Sequence, residues 1–317
     1  MRNAPQSHSP NDPLTGLEVF ERGWLSSNNL LIHAAPGEPG AVLVDTGHIN
    51  HAPQTVALVR HALAGRPLQR VLNTHLHSDH CGGNASLQRA FGVPVHIPPG
   101  QADAVRDWNP AGLSYEGTGQ RIERFAAQGL LQPGETLVAG GREWQVLAAP
   151  GHDPHSVMLF DAAHGVLVSA DALWEHGFGV VFPEIEGEPG FDDVGEVLET
   201  IAALPVRVVI PGHGAPFADV SAALDRARLR LKGLQADPAR HARHALKVLL
   251  KYHVMEEGAQ AAPELTAWAL GTPLLIGLWA RFPPIGATSA AGWIEATVAE
   301  LVAGGALRRD GDTVLDA

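Results

Sequence analysis

Short apolar runs separated by turn signals fill the first two-thirds of the chain, and longer stretches of helical periodicity follow. "LLIHA" and "AVLVD", within residues 30–45, read as buried strands divided by the glycine- and proline-rich turn "APGEPG". Residues 51–65 place Val56, Val59 and Leu63 on one helical face, with Ala52 one turn earlier. "LQRVLNT" is the next strand, followed by a short helix near Asn84–Ala90 and the strand "VPVHIP". Residues 99–130 read as irregular helix, broken by Pro110 and several glycines. Strands resume at "ETLVAG", "WQVLAAP", "SVMLFD", "GVLVSAD" and "VRVVIP". A helix over 191–204 precedes the last of them, with Asp192 and Asp193 at the end where negative charge favours a helix start. Strands, helices, strands and helices in that order predict stacked sheets with helices outside.

Beyond "PGHGAPF", residues 211–217, helical segments dominate: "VSAALDRARLRLKGL", "ARHARHALKVLLKYHV", "APELTAWAL" and "GWIEATVAELVAG". The chain closes on two strand-like pieces around Asp310-Gly311, a strong hairpin-turn signal. Helices followed by a terminal hairpin resemble a winged-helix module, with "IEATVAELVAGGAL" in the position of its third helix. The expected organisation is a polar N-terminal tail over 1–16, a layered domain over 17–218 and a helical, winged-helix-like domain over 219–317.

Composition narrows the functional classes. The 317 residues are 45% hydrophobic and 18% charged, enough to bury a sizeable core, and the 35 glycines and 24 prolines are spread along the chain. No apolar run approaches the roughly 20 residues of a membrane-crossing helix. The first sixteen residues carry no apolar stretch of a secretory signal, and the single cysteine, Cys81, cannot form an internal disulfide; both fit a cytoplasmic protein. A net charge of −12 argues against broad attraction to nucleic acid. The 17 histidines are unusual at this length, and imidazole is a common metal ligand.

Four of the potential ligands fall within six positions. In "VLNTHLHSDHCGGNA", residues 71–85, His75, His77 and Asp79 alternate and can converge, and His80 follows at the turn. Further along, His152 lies just past a strand in "APGHDPHS", Asp171 at the end of "VLVSAD", and His213 at the end of "RVVIPGHG". Each stands where an apolar strand meets a loop, a usual place for functional groups in layered folds. Histidines and carboxylates at these positions suit zinc, iron or manganese.

In the order of these motifs, residues 17–217 resemble the metallo-beta-lactamase superfamily, and the C-terminal addition is similar to that of its beta-lactamase-like-protein-2 group. The resemblance implies a four-layer αββα sandwich of mixed α/β class, with two metals in a cleft along one edge. It implies one metal on His75, His77 and His152, a second on Asp79, His80 and His213, and Asp171 bridging the two. Asp45 matches the early strand-end aspartate that supports the site from behind the ligands. Two divalent ions are expected, Zn(II) first, with Fe or Mn as alternatives.

The expected chemistry is hydrolysis by hydroxide held between the metals, with Asp79 orienting it and carrying its proton away. His155 is a candidate donor to the leaving group. Trp174, His176, Phe178 and Phe182, in "LWEHGFGVVFPEIEG", are candidates for the pocket wall and favour an acyl or aromatic group. Cys81 reads as a packed small side chain, Gly82 and Gly83 as residues that let the backbone pass close to the metals, and His241 and His244 as surface residues. The expected substrate is a small molecule with an ester-like bond: a thioester, lactone or carboxylic ester. The alternative is phosphodiester or single-stranded RNA cleavage, for which Arg226, Arg228, Arg230, Lys232, Arg308 and Arg309 are a modest basic set that does not form one stripe. A beta-lactamase or a non-catalytic binding protein fits less well. The apolar segments "ALKVLL" and "PLLIGLWA" suit either a homodimer contact or a domain core.

Overall fold

In the computed structural model, which describes residues 12–317, two sheets face each other across an apolar layer. Most of the polar tail expected over 1–16 lies outside the described residues. The first sheet is formed in chain order by β1 (Leu17–Phe20), β2 (Asn29–Ile32), β3 (Ala41–Val44), β4 (Leu68–Leu72), β5 (Val95–Ile97) and β6 (Gly129–Leu130). Its first three strands are antiparallel, and β3 to β6 are parallel. The second sheet contains β7 (Thr136–Ala139), β8 (Arg142–Ala148), β9 (Val157–Asp161), β10 (Val166–Ala170) and β11 (Val208–Pro211), in the order β11-β10-β9-β8-β7. Its neighbours are antiparallel except β10 and β11.

The strand sequences explain their depth. In β8, Trp144 and Val146 face inward while Glu143 and Gln145 face out. β9 and β10 are buried along their whole length, as their continuous apolar runs require. Trp144, Leu159, Val168, Val42, Val44 and Leu72 meet in the layer between the sheets.

Helices cover both outer faces. On the first sheet lie α1 (Ala52–Leu63), α2 (Ser78–Cys81), α3 (Asn84–Phe91), α4 (Ala102–Asp107) and α5 (Tyr115–Thr118), which enclose a core containing Val59, Leu63, Cys81 and Leu87. The irregular reading of residues 99–130 thus resolves into a 3-10 turn at Pro99–Gln101, two short helices, connecting loop and the two residues of β6. Between β10 and β11 of the second sheet come α6 (Phe182–Glu186) and α7 (Phe191–Ala203), and α8 (Val220–Ala236) follows β11. Ala223, Leu224, Ala227, Leu231 and Leu234 of α8 share a core with Val194, Leu198 and Ile201 of α7. α8, at the start of the segment expected over 219–317, thus turns its apolar face onto the second sheet's outer layer. Leu229, in contrast, is exposed.

Asp237 accepts a hydrogen bond from the Arg240 backbone N–H at the start of α9 (Pro238–Glu257). The strand β12 (Ala259–Ala261) and helices α10 (Ala262–Gly271), α11 (Pro273–Arg281) and α12 (Ala290–Ala303) come next. A hairpin of β13 (Leu307–Asp310) and β14 (Thr313–Asp316) ends the chain and forms a sheet in the order β12-β14-β13. Leu246, Leu249 and Leu250 of α9 and Leu274, Leu275 and Leu278 of α11 are all in this region's own core. That core also takes in Val180 and Ile185, so the loop after β10 is packed from both sides.

Candidate metal centre

β3 and β4 run parallel, and β8, β10 and β11 share one direction because β9 reverses between β8 and β10. The C-terminal ends that carry Asp45, His75, His77, His152, Asp171 and His213 therefore open on one edge of the sandwich. Two backbone conformations at this edge are unusual for side-chain-bearing residues. Asp45 has φ 57° and Ala170, next to Asp171, has φ 47°. Left-handed backbone at such residues costs about 1–3 kcal/mol each and is retained where surrounding structure holds it.

The seven expected ligands come together. His75 Nε2 lies 3.0 Å from His77 Nδ1, which lies 2.8 Å from His152 Nε2. On the neighbouring side, His213 Nε2 is 3.0 Å from Asp79 Oδ2. His80 Nε2 is 3.8 Å from that same oxygen and 3.4 Å from Asp171 Oδ1. Asp171 Oδ2 faces His152 Nε2 at 3.4 Å and His213 Nε2 at 3.9 Å, so this carboxylate stands between the two groups. Nitrogen and oxygen atoms of His75, His77 and His152, of His75, His80 and Asp171, and of Asp79, His80 and His213 lie close enough within each trio to share an ion.

Partners behind the rings fix which nitrogen faces inward. Asp45 Oδ2 meets His80 Nδ1 at 2.8 Å and also accepts the Thr74 hydroxyl at 2.8 Å. Asp45 Oδ1 accepts the Thr74 N–H at 2.9 Å. His152 Nδ1 donates to the Val180 carbonyl at 2.6 Å. The N–H of that same peptide unit, on Val181, donates to His241 Nε2 at 3.1 Å. Gly212 has no room for a side chain, since a Cβ there would lie 2.1 Å from Asp171 Oδ1.

The donor set fits divalent cations. Burial, with the neighbouring histidines adding to it, holds His75 well below the ordinary imidazole range and His77 down to about 4. Both rings are therefore neutral and offer lone pairs. Burial alone would also lower His80, but Asp171, Asp45 and Asp79 outweigh it and raise that group. Asp79 is held down to about 2, burial being outweighed chiefly by His80 and His213, and His80 likewise holds Asp171 low. His80 Nε2 is buried with no hydrogen-bond partner of good geometry, although two carboxylates surround it. Ions held by these residues would satisfy nitrogens and carboxylates that otherwise crowd one another.

The model of the family described as "Metallo-beta-lactamase superfamily" matches residues 22–213. The chain belongs to that superfamily. It is 30% identical over 244 residues to a hydroxyacylglutathione hydrolase of Xanthomonas campestris, a match covering 75% of this chain and 81% of the relative. It is 27% identical over 221 residues to the acyl-coenzyme A thioesterase MBLAC2 of Bos taurus, covering 63% and 78%. A metallo-beta-lactamase family protein of Thermus thermophilus shares the fold over 96% of this chain and 99% of its own, with a TM-score of 0.56 and 24% identity. The superfamily assignment, hydrolase relatives and histidine–aspartate clusters make this chain a metal-dependent hydrolase. No helix among the described residues is long and apolar enough to cross a membrane.

The superfamily centre opens into a cleft of about 480 Å³ bounded by the C-terminal region. Trp174 lines it and donates Nε1–H to Asp171 Oδ1 at 3.2 Å. Phe182 lines it against His77, with ring centroids 4.9 Å apart. His176 sits at the rim with its side chain 80% exposed. Phe178 does not form the wall. Its ring is buried in the outer core of the second sheet, with the Arg230 guanidinium over it at 5.3 Å. His155 lies outside the cleft lining, exposed and packed against Gly100, where a Cβ would meet its Nδ1 at 2.1 Å.

Several lining residues escaped the sequence reading. Trp24 projects from the loop after β1 and stacks on His213 at 5.3 Å and 15°. Helix α9 contributes His244, Val248, Tyr252 and Met255, a stripe at helical spacing. His241 and His244 are accordingly not surface residues: the first is buried and the second faces the cleft. Gly82 and Gly83 serve loop packing rather than access to the metals. A Cβ at Gly82 would be 2.5 Å from the Ile49 N and Ser78 O atoms, and one at Gly83 2.5 Å from the Thr46 carbonyl oxygen. Cys81 is buried, with its thiol near the Leu76 and His77 carbonyls and the Tyr115 hydroxyl.

Proposed function

We propose that this hydrolase cleaves thioesters with an apolar acyl part, using two divalent ions, Zn(II) first, with Fe or Mn as alternatives. One observation carries the reading: the cleft beside the histidine–aspartate clusters exposes mainly apolar surface, with Trp24, Trp174, Phe182, Val248 and Met255 among its lining. The names of the hydroxyacylglutathione hydrolase and acyl-coenzyme A thioesterase relatives support the same bond type.

In this reading His75, His77 and His152 hold one ion, Asp79, His80 and His213 the other, and Asp171 lies between them. Such ions, when bound, lower the pKa of water and polarise a carbonyl oxygen. Asp79 orients the attacking water and takes its proton. Trp174, through its bond to Asp171, keeps that carboxylate turned toward the centre. Tyr252, whose hydroxyl is 2.8 Å from Ser78 Oγ, stays protonated because burial raises it well above the ordinary phenol range. It offers the substrate carbonyl or leaving sulfur a hydrogen bond from the cleft wall. The basic residues of α8 do not support a track for a nucleic-acid strand: Arg228 pairs with Glu199, and Arg226 donates to the Glu175 carbonyl.

The test is hydrolysis by metal-loaded protein of a thioester, a lactone, an aryl ester, a bis-aryl phosphodiester and a single-stranded RNA. The thioester is expected to have the highest kcat/KM, by about tenfold or more. Preference for the phosphodiester or RNA would replace this reading with phosphoryl chemistry.

A further inference from the structure

The basic side chains that line the cleft have different partners. Lys251 pairs with Asp316 and the Ala306 carbonyl, so its ammonium is engaged away from the centre. Arg230 has no carboxylate partner among the described residues. It donates from Nη2 to His244 Nε2 at 3.0 Å, and its Nε is buried without a hydrogen-bond partner. Its guanidinium lies over the Phe178 ring at 5.3 Å, and its stem passes Gly177, where a Cβ would come within 3.0 Å of Cδ. Burial, with Arg230 and other cations adding to it, holds His244 down to about 4, so its ring remains a neutral acceptor.

These contacts orient a cation without neutralising it. A partly buried guanidinium is costly to leave without an anion, and its planar donors suit a carboxylate or phosphate. The same cleft contains Asp79, Asp171, His152 and His213, so one extended molecule can reach both the centre and Arg230.

Resting on the thioesterase reading, we propose that Arg230, held by His244 and Phe178, is a binding site for an anionic group on the thiol part of the substrate. The apolar wall then takes the acyl part. The substrate class is an acyl thioester whose thiol carries a carboxylate or a phosphate, and an uncharged thiol ester lacks half of the recognition. Phe178, removed from the wall, acquires a role here: its ring supports the guanidinium from beneath.

The experiment compares thioesters of one acyl group with an uncharged, a carboxylate-bearing and a phosphate-bearing thiol. It uses metal-loaded wild type, Arg230→Met and Arg230→Lys. Wild type is expected to favour at least one anionic thioester through KM, and Arg230→Met to reduce the anionic-to-uncharged ratio of kcat/KM about 10- to 100-fold. Arg230→Lys is expected to recover part of the ratio, because it retains charge without the fork. The anionic arm that loses more identifies the group. An unchanged ratio in Arg230→Met overturns the proposal, as does a wild-type ratio near one that does not respond to raising salt to about 0.5 M.

Calorimetric binding of the corresponding non-hydrolysable thioethers separates this site from the reaction. If wild type cleaves no thioester yet binds the anionic thioether more tightly than the uncharged one, and Arg230→Met abolishes that preference, the anion site stands and the thioesterase reading falls. Equal binding of the two thioethers by wild type overturns the anion site itself. These wild-type arms decide the question even if Arg230→Met does not fold.

Discussion

Asp45→Asn isolates the support behind one half of the centre. Asparagine suits the φ of 57° at this position, so backbone strain changes little. Its remaining carbonyl oxygen can still accept the Thr74 N–H that Asp45 holds at 2.9 Å. The new NH2 group, however, replaces the oxygen that faces His80 Nδ1 at 2.8 Å. His80 must then accept at Nδ1 and carry its proton on Nε2, the nitrogen that lies 3.4 Å from Asp171 Oδ1. That proton occupies the lone pair needed for an ion. Losing a hydrogen bond to a buried charge costs about 1.5–3 kcal/mol, which corresponds to roughly 10- to 160-fold weaker binding. Chelator titration followed by elemental analysis is expected to show one ion held as in wild type and the second released at that much lower chelator concentration. Two ions retained with wild-type affinity would refute the assignment of Asp45 as the group that sets the His80 tautomer.

Gly212→Ala drives a methyl group toward Asp171 Oδ1, which lies 2.1 Å from the Cβ position. It is expected to reduce kcat/KM by about 100-fold or more with lower metal content, and unchanged turnover would show that Asp171 has freedom to move. Trp144→Ala empties a fully buried site between the sheets and is expected to cost about 3–5 kcal/mol in urea unfolding. A loss below about 1 kcal/mol would mean that this layer can collapse around the gap. Burial, with His244 and Arg230 adding to it, holds His241 down to about 4 from 6.5. Between these values the unfolded chain takes a proton that the folded chain does not, so this group's contribution to stability falls as pH falls. His241→Gln is expected to flatten the unfolding free energy of metal-free protein across that window by up to about 1.4 kcal/mol per pH unit, and an unaltered slope would place the proton uptake elsewhere.

The metal-binding half of the site was legible because its residues announce themselves locally. His75, His77, Asp79 and His80 lie on one turn, and His152, Asp171 and His213 each end an apolar strand, so their chemistry and their place in the layers coincide. The cleft wall was less legible because its parts meet only in three dimensions. Trp24 is a lone aromatic in a polar loop until it reaches His213. His244, Val248, Tyr252 and Met255 make a helical stripe, but sequence alone does not say whether such a stripe faces a core or a cleft. Phe178 in the loop after β10 and Phe182 at the start of α6 sit four residues apart, yet one enters the core and the other the cleft. The place of α8 was hard to read for a related reason. The helical composition of α8 resembles that of α9 and the later helices, while its apolar face belongs with α7.

One peptide group joins the two regions. The carbonyl of Val180 takes the proton of His152, and the amide of Val181, across the same bond, is held by His241 on α9. The C-terminal region is therefore not a detachable lid over an independent centre. Any rotation of α9 about its axis turns this peptide plane, and with it the imidazole whose far nitrogen faces His77 and Asp171. A chain cut at Asp237 would keep every candidate ligand and still lose the hydrogen bond to His241 that helps fix the bearing of one of them.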